Sequence, residues 1–115
     1  MTIVDFTAQG TTRELASAIE QLALERRAVT ALVVPWESDA ATTRMAVTAA
    51  KGEGWAIEHT NLGTVSLADL GSQRTRVVVT GEPGQDASPV LISFARQIER
   101  RFNQPSVDNR PGAGQ

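Results

Sequence analysis

The chain contains no cysteine, a single histidine and few aromatic residues. Without cysteine there is no disulfide, no thiolate zinc or iron–sulfur site and no cysteine nucleophile. The lone His59 leaves too few ligands for a tight zinc site, and no nucleophile signature surrounds it. We therefore expect no metal site, no cofactor and no catalytic residue. Because aromatic residues make up only 4% of the chain, valine, leucine, isoleucine and alanine must fill the core.

Long apolar segments are also missing from the sequence. No stretch approaches the roughly 18 apolar residues of a membrane span. The first residues, MTIVDFTAQG, lack the basic and then apolar pattern of a signal peptide. These features predict a cytoplasmic protein without membrane contact. The formal net charge of −2 argues against a dedicated nucleic-acid binder, whose affinity depends on neutralising phosphates.

The length of 115 residues fits one domain. We predict a single α/β domain over residues 1–102, with the α+β character of a mixed sheet and three helices in the order β-α-β-α-β-β-β-α. Residues 103–115, read as NQPSVDNRPGAGQ, are dominated by proline, glycine and polar residues. This composition predicts a disordered C-terminal tail.

Two of the three helices carry clear start signals. Thr11 followed by Glu14 forms a capping box ahead of an apolar stripe typical of a helix. Ser88 followed by Pro89 gives an N-cap and a first-position proline for the last helix. Residues 2–7 predict a short strand that is a candidate for a sheet edge.

The stretch VVPWESDAATTRM is the least ordinary part of the sequence. Residues 29–34 predict a strand that ends at Pro35. The side chains on both of its faces are apolar, which predicts that both faces are buried. The alanine-rich segment after it predicts a second helix from about Ser38 to Lys51, capped by Ser38 or Asp39.

Two further segments predict strands. Residues 55–70 alternate in polarity on both sides of Gly63, which predicts a hairpin turn at that glycine. Residues 76–80 read as a continuous apolar strand in the interior of the sheet.

Acidic residues follow both apolar strands. If residues 29–34 lie parallel to residues 76–80, their carboxyl ends open on one edge of the sheet, where ligands bind in open α/β folds. The alternative is that these acids only cap helices and close loops. Trp36 is not explained by capping, and we predict that it is partly exposed. The candidate ligand-binding residues are Trp36, Glu37, Asp39, Glu82 and Asp86.

The sequence favours a non-catalytic binding or protein-interaction module. One alternative is a small enzyme that holds a divalent metal with carboxylates at the strand ends. Another is a nucleic-acid-binding module, which requires that Arg74 and Arg76 lie next to Arg96 and Arg100.

A homodimer is the expected assembly. Val90 and Ile92 flank the core stripe of the last helix and are candidate interface residues, because a helix with one buried face leaves one such flank uncovered. An open sheet edge is the second candidate surface. The alternative is that both residues pack under neighbouring loops.

Overall fold

The computed structural model describes residues 1–26, 29–51 and 54–103. The predicted tail therefore lies outside the described residues, apart from Asn103. Short 3₁₀ turns occur at Pro35–Glu37 and Gly54–Ala56. The main elements, in chain order, are β1 (Thr2–Gln9), α1 (Thr12–Arg26), β2 (Val29–Val33), β3 (Thr42–Lys51), β4 (Glu58–Gly71), β5 (Arg74–Gly81) and α2 (Pro89–Phe102).

The strands form one five-stranded sheet in the order β1-β5-β4-β3-β2. Every neighbouring pair in it is antiparallel, so the predicted mixed sheet is wrong. β2 and β5 are separated by β3 and β4, and they run in opposite directions because three antiparallel steps lie between them. The parallel pairing on which the candidate ligand site depended does not form.

Both helices pack on the same face of the sheet, and the predicted stripes form the core. α1 buries Leu15, Ile19 and Leu22, while α2 buries Leu91, Phe94 and Ile98. The sheet contributes one alternate set of side chains from each strand. Its larger core members are Val4, Phe6, Val29, Met45, Val47, Val65, Leu67, Val77 and Val79.

The start signals of the two helices are confirmed. The Thr11 amide donates to Glu14 Oε1 at 2.9 Å, and the Glu14 amide donates to Thr11 Oγ1 at 3.2 Å. At α2, the Val90 amide donates to Ser88 Oγ at 3.2 Å. Each hydroxyl satisfies an amide that has no partner within its helix.

The predicted second helix is a strand. β3 occupies most of the segment from Ser38 to Lys51, and the described residues form two α-helices rather than three. The alanine content favours a helix, but Met45 and Val47 alternate with Arg44 and Ala46, which is the period of a strand. Burial of the Met45 and Val47 side chains against the helices outweighs the helix propensity of alanine.

The predicted hairpin turn at Gly63 does not form either. β4 runs through Gly63 as one 14-residue strand. A register shift between Val47 and Thr48 leaves Leu62 as an extra residue on β4, which is a bulge in the pairing with β3. Alternating polarity on both sides of a glycine therefore marks a bent strand here rather than two strands.

The face of the sheet away from the helices carries mainly small and hydroxyl-bearing side chains. β2 is also exposed to solvent on this face, because Leu32 is 55% exposed. The predicted burial of β2 on both faces is therefore wrong. The central side chains of this open face are Ala46, Thr48, Thr64, Ser66, Val78 and Thr80.

Candidate interaction site

The candidate acids divide between one cleft and two loops. Glu37 and Glu82 line a shallow cleft of about 220 Å³, together with Arg44 from β3. Glu37 reaches it because the Pro35–Glu37 turn bends the chain immediately after β2, with the Glu37 amide bonded to the Val34 carbonyl. Asp39 and Asp86 do not line this cleft.

Asp39 closes the connection between β2 and β3 rather than capping a helix. Its Oδ1 accepts hydrogen bonds from the amides of Ala41 and Thr42, each at 2.8 Å. The Thr42 and Ala41 amides lower the pKa of Asp39, because they stabilise its charged form. Ser38 Oγ donates to the Val34 carbonyl and accepts from the Arg44 amide, so it also joins the two strands. The predicted capping role is wrong, although the same side chains still satisfy backbone groups.

The carboxylates do not assemble into a metal site within the described residues. No group of three or more histidine or acidic side chains with metal-binding geometry occurs in residues 1–26, 29–51 and 54–103. The arginines are likewise divided, since Arg74 and Arg76 project from the open face while α2 packs on the other face. Arg96 and Arg100 on α2 therefore form no joint basic patch with them.

Arg76 is held in an ion pair. Its Nε and Nη2 atoms donate to the two carboxylate oxygens of Asp5, at 2.9 and 2.5 Å. The hydrogen bond from Arg76 lowers the pKa of Asp5 and keeps it charged. Asp5 lies on β1, so this outer strand carries a charge on its open face.

The two outer strands of the sheet, β1 and β2, differ in charge and in how far other residues cover their free edges. Beside the Asp5–Arg76 pair, β1 also has an isolated bridge between Ala8 and Asn103, which covers part of its outer edge. β2 pairs only with β3 among the described strands, and its sequence VTALV carries no charge. β2 is short, at five residues, but it lacks the charge, proline and bulge that commonly prevent a further strand from pairing with an outer strand.

The outward backbone groups of β2 can be assigned from its register. Val34 is opposite Arg44, and the Val34 amide donates to the Arg44 carbonyl at 2.8 Å. Residues in an antiparallel pair alternate between bonding to the partner strand and pointing away from it. Leu32 and Thr30 therefore bond to β3, whereas Val29, Ala31 and Val33 direct their amides and carbonyls outward.

A groove lies between this edge and α1. Its wider part, about 370 Å³, extends from the start of α1 to Val33 and Thr43. Its narrower part, about 60 Å³ and mainly apolar, lies between Leu24 and Ala31. Glu20 lines both parts, so they adjoin along α1. The groove was not predicted, because it depends on the strand order that places β2 at the edge.

The exposed apolar side chains are spread over several surfaces. Trp36 is 84% exposed, which confirms its predicted exposure, and Trp55 beside β4 is fully exposed. On α2, Val90 and Ile92 are 38% and 39% exposed. Beside the groove, Leu24 and Leu32 are 67% and 55% exposed.

None of the helices in the described ranges has the length and apolar character needed to cross a membrane. Comparisons with protein-family models, with curated proteins and with solved structures find no match to this chain.

Proposed function

We propose that the protein is a non-catalytic protein-interaction module that binds an extended segment of a partner protein as a sixth strand on β2. The observation that carries this proposal is the uncharged outer edge of β2 beside the groove along α1. Strand addition of this kind uses backbone hydrogen bonds for affinity and side-chain pockets for specificity.

Both requirements are present on this side of the molecule. The outward amides and carbonyls of Ala31 and Val33 offer the backbone bonds. The α1 side chains that line the groove offer contacts to alternate side chains of the added strand. Leu24 and Leu32 also lose apolar surface to water when a segment covers them, at roughly 25 cal/mol per Å².

The test removes one outward amide. Val33→Pro deletes a donor that β3 does not use, and proline is tolerated at such edge positions. Peptides that bind the unchanged protein are first selected from a display library of random sequences, about eight residues long so that they span β2. We expect these peptides to bind the variant about tenfold more weakly. Fluorescence anisotropy with labelled peptides gives the affinities.

Val33→Ala is the matched control, because it removes more of the side chain and keeps the amide. It should bind the selected peptides nearly as well as the unchanged protein does. Thermal unfolding checks that both variants are folded. If the two variants bind equally well, or if the library yields no β2-dependent peptide, strand addition at β2 is wrong.

We also propose a homodimer, and the exposed Val90 and Ile92 on α2 favour that helix as its interface. Light scattering at micromolar concentration should then return twice the chain mass of 12.3 kDa. Ile92→Glu should separate the dimer, because a charge in an apolar interface has no partner there. Leu24→Glu, the same change on the other helix, should leave it intact.

The outcomes assign the interface. A dimer that Leu24→Glu separates and Ile92→Glu does not is held by the β2 edge instead of α2. A mass near that of one chain contradicts the dimer altogether.

A further inference from the structure

The α1 wall of the groove presents three different kinds of side chain in a fixed order. Arg13 lines the wide end, half-buried Glu20 lies where the two parts meet, and Leu24 borders the narrow end. Neither Arg13 nor Glu20 takes part in an ion pair among the described residues. One cation, one anion and one apolar contact therefore face the position of an added strand.

We infer that the groove selects segments whose groove-facing residues read acidic, then basic, then apolar. The inference rests on the proposed strand addition at β2, and names the chemistry of the segment that binds there. An acidic residue complements Arg13, a basic residue complements Glu20, and an apolar residue contacts Leu24. Such complementarity mainly sets which partner binds and in which register.

The spacing follows from helix and strand geometry. Glu20 and Leu24 are four residues apart on α1, about 6 Å along the helix axis. Alternate residues of a strand are about 6.8 Å apart, so the apolar residue follows the basic one by two positions. Arg13 and Glu20 are about 10.5 Å apart along the axis. That distance lies between the lengths of two and four strand residues. The acidic residue can therefore precede the basic one by two or by four positions, because the long Arg13 side chain reaches both.

The direction follows from the orientation of β2. α1 runs towards Leu24 at its end, and β2 then returns towards Val33 and the Arg13 end of the groove. Antiparallel pairing is slightly more stable per residue than parallel pairing. An antiparallel segment runs from the Arg13 end towards Leu24, so the acidic residue comes first in its sequence.

The size of the narrow part limits the apolar residue. This part measures only about 60 Å³. For comparison, an enclosed apolar cavity of about 150 Å³ holds a benzene ring. We therefore expect a small aliphatic residue at this position.

The test uses a synthetic peptide with glutamate at the first and third positions, lysine at the fifth, valine at the seventh and threonine between them. A second peptide has glutamate in place of the lysine. The unchanged protein should prefer the first peptide by about two- to fivefold, the range of a partly exposed ion pair. Glu20→Lys should reverse that preference, and phenylalanine in place of the valine should weaken binding to both proteins.

Glu25→Lys is the control, because it makes the same charge change on α1 at an acid that does not line the groove. It should leave the preference for the first peptide unchanged. If Glu20→Lys does not reverse the preference, the inferred selectivity is wrong, while strand addition stands as long as Val33→Pro still weakens binding. A missing effect of Val33→Pro instead overturns the proposed function.

Two other occupants give different results. If the protein does not bind the first peptide and forms a dimer that Leu24→Glu separates, the groove is occupied by a second copy of the chain. Binding that occurs only after residues 104–115 are removed assigns the groove to the chain's own C-terminal segment. Either result overturns the inference.

Discussion

We expect Gly63→Ala to lower the free energy of unfolding by about 3 kcal/mol or more, at the upper end of the overpacking range. A Cβ atom at this position would lie 2.2 Å from the Thr80 carbonyl oxygen and 2.8 Å from Leu91 Cδ2. The carbonyl belongs to the neighbouring strand β5 and cannot move without breaking the pairing of β4 with β5. Urea unfolding followed by circular dichroism measures the loss.

Gly81→Ala is the matched control on the strand that pairs with Gly63. Its added Cβ would lie 3.6 Å from Ala87 Cβ and 3.8 Å from Leu91 Cδ2, which are ordinary contacts. We expect a change of less than about 1 kcal/mol, because alanine also restricts the unfolded chain. Equal effects of the two substitutions would show that β5 does not approach β4 at Gly63 as closely as described.

The second large effect is expected from Phe94→Ala, at about 3–5 kcal/mol. Phe94 lies between α2 and the sheet and is the largest of the fully buried side chains among the described residues. Its ring also lies 5.9 Å from the guanidinium carbon of Arg26, which joins the end of α1 to α2. Truncation leaves a cavity that the surrounding strands cannot close fully.

Leu24→Ala provides the comparison, because Leu24 is an apolar residue on the other helix and is 67% exposed. Its loss should cost less than about 1 kcal/mol. A small effect of Phe94→Ala, similar to that of Leu24→Ala, would mean that α2 does not pack on the sheet as described.

Much of the fold could be predicted from signals that act within a few residues. Capping boxes and N-caps involve neighbouring residues, so Thr11 and Ser88 identify the starts of α1 and α2 correctly. The buried stripe around Phe94 depends only on the helical period. The strands β2 and β5 were also located, because their apolar residues form short continuous runs.

The errors occurred where local preference and tertiary packing disagree. Residues 42–51 contain much alanine, which favours a helix, yet Met45 and Val47 face the helices from a strand. Gly63 resembles a turn residue, but its function here is to admit the close approach of β5. The alternation around Met45 is visible in the sequence, but whether it outweighs the alanine content depends on tertiary packing. The role of Gly63 likewise depends on which strand lies next to β4.

The candidate site shows the same dependence. Glu37 and Glu82 were named from their positions after two strands, and they do share a cleft. The assumed cause, parallel strands, is wrong, so Asp39 and Asp86 were grouped with them without reason. The groove along α1 could not be predicted at all, since it requires β2 to be the outer strand.

The pairing of β1 with β5 has a consequence for how the chain folds. Asp5 and Arg76, which join these strands, are 71 positions apart. In contrast, β2, β3 and β4 each pair with the strand that follows them in the chain. Contacts between near neighbours in sequence cost less loop-closure entropy and form faster. Among these five strands β1 is made before the others, and its partner β5 is made after them, so β1 stays without its partner until the rest of the sheet has been synthesised.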